Sequence, residues 1–214
     1  MITQSIQAVL FAVAMILSWM VLPTPANSKD PFTEILATAE TLAQLRRGGF
    51  VLYLRHGYTD NSKPDHVPHV DLKDCSTQRP LTETGQLLVA HVGHAIRQAD
   101  IPVGTVYVSP LCRTKETADH AFPDKIYKVD PDLIYTANMT REQKVPVIAR
   151  TRQLLSTPVE QGSNRLLVSH APNLMDLIGY FPKEGTLVIF RPLGPSGFDY
   201  VASITPLLWP ELLK

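Results

Sequence analysis

Apolar residues follow two recurring patterns along this chain: short unbroken runs and longer stretches with helical spacing. Across 33–47, Ile35, Leu36, Ala39, Leu42, Ala43 and Leu45 predict a helix stopped by Gly48-Gly49. Residues 50–54 (FVLYL) form an unbroken run, as in a strand buried on both faces. A polar stretch with Pro64 and Pro68 then reaches Pro80 and predicts a long loop. The next segment, 82–99, reads as a helix with Thr82 as its N-cap. Residues 105–109 (TVYVS) and 165–169 (RLLVS) are two more buried strands. A short helix follows each of them, over 113–121 and, after Pro172, over 173–180. A strand over 125–129, a helix over 141–155 despite Pro146, and an antiparallel pair over 186–190 and 200–204 complete the pattern. Such alternation implies an α/β three-layer sandwich, a mostly parallel central sheet flanked by helices. Ligands of such sheets collect at the carboxyl ends of the strands.

Composition narrows the class. The chain has 214 residues, 44% hydrophobic and 19% charged, which suits one folded domain and excludes disorder. Its 20 Lys+Arg balance 20 Asp+Glu, and that neutrality argues against a nucleic-acid partner. Two cysteines are too few for a disulfide-built scaffold or a Cys-rich metal cluster.

The N-terminal segment reads as an address. Residues 6–22 are nearly all apolar and uncharged, and Pro23, Pro25 and small residues follow them. That order is a secretory signal over 1–28, cleaved after Ala26 or Ser28, ahead of a folded domain over 29–214. The location it implies is periplasmic or secreted. One alternative is a retained anchor, with membrane contact only through 6–22, a stretch at the short end for a ~30 Å hydrocarbon core. A buried core helix is the other alternative.

Three predicted strands end in related chemistry: Leu54-Arg55-His56-Gly57, then Ser109-Pro110-Leu111-Cys112-Arg113-Thr114, then Ser169-His170-Ala171-Pro172. In a parallel arrangement two arginines and two histidines meet at one edge. Arginine recognises phosphate in a planar, bidentate way and keeps its charge. Neutral histidine is a nucleophile oriented by what its other nitrogen donates to. Gly57 lets the backbone turn tightly beside a ligand. Phosphoryl transfer asks mainly for positioning and charge neutralisation, which this set supplies.

These blocks, together with Arg79-Pro80-Leu81-Thr82-Glu83-Thr84-Gly85, resemble the histidine phosphatase superfamily, the phosphoglycerate mutase-like group, over roughly residues 49–192. The resemblance implies a phosphoglycerate mutase-like fold. It makes His56 the nucleophile that forms a phosphohistidine later hydrolysed by water. Arg55, Arg113 and His170 would hold the phosphoryl oxygens, and Arg79 would reach them from the loop or remain solvated. No metal or other cofactor is expected, and the partner is a small phosphorylated substrate.

An alkyl phosphate also needs its leaving oxygen protonated. The acid-phosphatase branch places an Asp directly after its second histidine, where this chain has Ala171. Glu142 is the first candidate for the acid, with Asp132 and Glu184 behind it; small phosphohistidine phosphatases manage without one. The remaining histidines, His66, His69, His91 and His94, read as solvated. The loop over 58–78 suits a lid. In an oxidising compartment Cys75 and Cys112 form a disulfide pinning that loop to the site's rim, the alternative being two free thiols. The expected function is hydrolysis of phosphomonoesters or phosphohistidine. A mutase-like phosphotransferase and a non-catalytic phospho-ligand-binding module are the alternatives.

Overall fold

In a computed structural model, residues 31–66 and 70–214 are described, and the leader read over 1–28 lies outside them. The buried apolar runs pair into one six-stranded sheet. Its strands are β1 (Val51–Arg55), β2 (Val103–Val108), β3 (Tyr127–Val129), β4 (Asn164–Ser169), β5 (Leu187–Pro192) and β6 (Phe198–Ile204). Across the sheet they lie in the order β3-β2-β4-β1-β5-β6. The first four run parallel, β5 is antiparallel to β1, and β6 is antiparallel to β5. The expected closing pair is therefore present at one edge.

Six helices complete the described chain: α1 (Ala39–Arg47), α2 (Glu83–Gln98), α3 (Cys112–Ala121), α4 (Arg141–Ser156), α5 (Ala171–Ile178) and α6 (Trp209–Leu212). Side chains alternate across each strand, so one sheet must be covered twice. Leu52, Leu54, Leu166 and Val168 pack on the side of Leu42 and Leu45 of α1 and of Val89, Val92 and Ile96 of α2. Val51, Tyr53 and Leu167 pack on the other side with Leu154 and Leu155 of α4 and Leu174 of α5. The result is the α/β three-layer sandwich read from the sequence. Among the described residues no helix is long and apolar enough to cross a membrane.

The first helix corrects its expected bounds. It begins at Ala39, where Thr38 and Thr41 form a reciprocal capping box. Before it the chain is extended along β6: Ser203 N donates to Ile35 O at 2.7 Å and Ala37 N to Ser203 O at 3.0 Å. Apolar spacing alone carried the helical reading into this segment. An unpaired strand edge offers the same backbone groups a better partner.

Gly57 also serves a different purpose from the tight turn expected of it. A Cβ there would meet Gly85 O at 2.5 Å, and a Cβ on Gly85 would meet Tyr58 O at 2.1 Å. The glycine of each motif therefore lets the chain after β1 touch the first turn of α2, where Thr82 caps as expected.

Candidate active site

The strand order β2-β4-β1 places three strand ends side by side. Arg55 closes β1 and His56 follows it; His170 follows β4; Arg113 lies in the first turn of α3, just beyond β2. Both histidines and Arg113 are buried, Arg113 at 0% exposure despite its charge. The rings of His56 and His170 stand 5.3 Å apart. Thus the structure brings together Arg55, His56, Arg113 and His170.

His56 is oriented by its own neighbour. Its Nδ1 lies 2.8 Å from Gly57 O, and a carbonyl can only accept, so Nδ1 carries the proton and Nε2 keeps a free lone pair. Burial holds the His56 pKa well below its usual 6.5, with the Arg113 charge adding to the effect. His170 is lowered well below the same value, by burial first and then by Arg113 and His56. Both rings are neutral at pH 7.

Supporting contacts fix His170. Its backbone N–H donates to Tyr53 Oη at 3.1 Å, and Tyr53 O–H donates back to His170 O at 2.7 Å. Ser109 Oγ lies 2.7 Å from His170 Nε2. With Ser109 donating, Nδ1 carries the ring proton and is free for an anion. Asn173 ties the following segment, donating to Ile134 O at 2.9 Å, and Tyr135 then packs edge-on against His170 at 5.4 Å. Sequence reasoning missed Tyr53, Ser109, Asn173 and Tyr135. The signals were present for the first two, a lone aromatic in a buried strand and a hydroxyl at a strand end.

Arginines dominate the electrostatics. Arg55 Nη1 donates to Pro182 O at 2.5 Å, its Nη2 pairs with Glu184, and Phe181 stacks against it at 5.1 Å. Arg113 Nη1 donates to Asp65 at 3.0 and 3.2 Å, with Tyr135 beneath the guanidinium at 5.2 Å. Of its two readings, Arg79 takes the one within the site. Its charge helps lower the pKa of His56, His170, Arg55 and Arg113, and its Nε is buried.

Among the described residues, Arg55 Nε, Arg79 Nε, Arg113 Nε, Arg113 Nη2 and His170 Nδ1 are buried without a hydrogen-bond partner. Buried polar groups are seldom left so, and five around one histidine match the oxygens of a tetrahedral anion. No group of three or more His, Cys, Asp or Glu suited to a metal occurs among the described residues.

The acid candidates separate. Glu142 is exposed in the first turn of α4, where hydrogen bonds from its own backbone N–H and from Thr140 lower its pKa. It stands outside the cluster, which corrects the first choice made from sequence; its helix-start position explains it better. Glu184 is occupied by Arg55. Asp132 lines a neighbouring cavity, and so does Asp65, which the sequence reading overlooked. A single aspartate in a polar loop gave no signal.

Cys75 and Cys112 are bonded, with Cα atoms 5.7 Å apart. The bond fastens the 58–80 loop to the residue preceding Arg113. Gln78 reinforces it, accepting from Cys112 N at 2.7 Å and donating to Asp71 O at 2.8 Å. His66, His91 and His94 are exposed, and His69 lies outside the described residues.

The described residues take the phosphoglycerate mutase-like fold that the resemblance implied. Residues 51–134 match the family model of the histidine phosphatase superfamily, branch 1. Among solved structures, the chain is similar to the protein histidine phosphatase SixA complexed with tungstate. There the identity is 18% over 74% of this chain and 97% of that one, with a TM-score of 0.50. A candidate alpha-ribazole-5'-P phosphatase from Escherichia coli matches at 16% identity over 73% and 97%, with a TM-score of 0.55. A mycobacterial glucosyl-3-phosphoglycerate phosphatase in complex with inorganic phosphate matches at 16% over 74% and 99%, with a TM-score of 0.53. No curated relative matches the chain.

Proposed function

We propose that this protein is a metal-independent phosphatase of small phosphomonoesters that works through a phosphohistidine on His56. One observation carries the reading: five buried, unpartnered donors surround a neutral histidine whose Nε2 lone pair is free. Nε2 attacks phosphorus while Arg55, Arg79, Arg113 and His170 neutralise and orient the equatorial oxygens. Water then cleaves the P–N bond. A mere phosphate binder has no need of an unprotonated nucleophile inside a cationic cluster, which favours turnover over storage. The apolar segment 6–22 supports a cleaved leader over 1–28, and the Cys75–Cys112 bond supports an oxidising compartment such as the periplasm or the exterior.

The test is release of inorganic phosphate from p-nitrophenyl phosphate with EDTA present, beside His56→Ala. Release by the wild type, reduced about 10³-fold or more in the variant, is expected. Transfer of the phosphoryl group to an added alcohol instead of water would assign a phosphotransferase. No release, with inorganic phosphate bound equally by both proteins, would assign a binding module.

A further inference from the structure

A phosphomonoesterase must house the organic remainder of its substrate and supply a proton to the oxygen that leaves. A cavity of about 600 Å³ adjoins the arginine-histidine cluster. Asp65 and Tyr135 line it, and these same side chains touch the cluster, Asp65 on Arg113 and Tyr135 on both Arg113 and His170. Most of the remaining wall is apolar, with Val70, Leu72, Leu111, Ile134, Met139 and Val147. Among the described residues its acids are Asp65 and Asp132, His66 lines it too, and no Lys or Arg does. An apolar group entering there gains about 25 cal/mol per Å² removed from water. A second anionic group would lose hydration, find no Lys or Arg among the described lining residues and face the Asp132 side chain.

Asp65 is placed at the junction. Its Oδ1 accepts from Arg113 Nη1 at 3.0 Å and from Arg79 N at 2.8 Å, whereas among the described residues Oδ2 accepts only the longer 3.2 Å contact from Arg113. Oδ2 therefore retains capacity to carry a proton. The side chain is 11% exposed and lines the cavity. Glu142, by contrast, does not line it, although its neighbour Gln143 does.

We propose that this cavity takes the organic part of a phosphomonoester of an uncharged, predominantly apolar alcohol, and that Asp65 is the proton donor to the leaving oxygen. The proposal rests on the phosphatase reading and adds a substrate class and a catalytic residue to it. His56 Nε2 forms a bond to phosphorus as the bond from phosphorus to the alcohol oxygen breaks. The Asp65 proton passes to that oxygen, giving neutral alcohol, an Asp65 carboxylate and phosphohistidine. Water then attacks phosphorus and yields one proton to Asp65; the P–N bond breaks, returning neutral His56 and releasing phosphate.

The experiment compares kcat/KM of wild type and Asp65→Asn on phenyl phosphate and on 2,4-dinitrophenyl phosphate, whose leaving group departs unprotonated. With phenyl phosphate the variant is expected to lose about 10²- to 10⁴-fold, and at least about tenfold less with the dinitrophenyl ester. Equal losses on both, or no loss on either, overturn the donor role; equal losses would leave Asp65 a prop for Arg113. Should Asp65→Asn fail to fold, the wild type decides through a series of substituted phenyl phosphates. A shallow dependence of kcat/KM on leaving-group acidity is expected, and a steep one overturns the proposal. For the substrate class, phenyl phosphate should exceed phosphoglycolate in kcat/KM, and Met139→Lys should shrink that ratio about tenfold. Preference for phosphoglycolate by the wild type overturns the apolar class. Wild type inert toward the dinitrophenyl ester would instead remove the phosphatase reading itself.

Discussion

The burial that keeps His56 and His170 unprotonated also makes them a liability in acid. In the unfolded chain each binds a proton below about pH 6.5; in the folded chain both values are pushed well below that, by burial first and then by Arg113. The unfolded state therefore binds more protons in this window, and stability falls as pH drops below about 6.5. Each pH unit costs up to about 1.4 kcal/mol per histidine. The carboxylates with lowered values, Asp60, Asp74 and Glu142, titrate below about 4.5 when unfolded, so the slope above pH 5 belongs to the histidines. Urea unfolding between pH 7 and 5 should show this slope, roughly halved in His170→Gln; a flat profile would mean one or both rings are charged in the fold. Individual residues were unevenly legible. Arg55, His56, Arg113 and His170 stood out because each ends or follows a strong apolar run. Glu142 drew attention as a carboxylate near the expected place, yet it faces water. Asp65 escaped because its neighbour in space, Arg113, lies 48 positions away in sequence.

Two elements carry the site's rim, the 58–80 loop and the start of α3, and a covalent bond joins them. Breaking it frees a 37-residue span, which in the chain-entropy account costs about 4 kcal/mol. Cys75→Ser with Cys112→Ser should lose roughly that much in urea unfolding. The variant should also bind inorganic phosphate more weakly, because Arg79 and Asp65 ride on the released loop. Unchanged stability would show that Gln78 and the loop's backbone bonds suffice. Strands and helices were well marked by apolar spacing, Thr82 by its capping chemistry. The stretch before Ala39 was not, since its partner is the edge of β6, about 165 residues later. The close approach of Gly57 and Gly85 was invisible for a similar reason: a glycine announces freedom, not what presses against it.

At the scale of the molecule, one edge of the sheet concentrates cationic donors that the fold leaves unsatisfied. An anion seated there should stabilise the whole chain. Inorganic phosphate at about 100 times its Kd adds roughly 2.7 kcal/mol by mass action. For a domain of this size that raises Tm by about 5–10 °C. Calorimetry with and without phosphate checks this, and Arg113→Ala should abolish the shift. A shift that survives in the variant would place the anion elsewhere.

Local apolar patterning was enough for the layer architecture, because buried strands and amphipathic helices leave few ways to cover a sheet. It also determined the four residues at the strand ends, since parallel strands must carry their C-terminal residues to one edge. Which loop residues join them depends on how distant segments pack. Arg79 and Asp65 enter the site, Glu142 stays outside and Cys75 meets Cys112, because loop closure is set by contacts between segments far apart in the chain, and no local pattern records those.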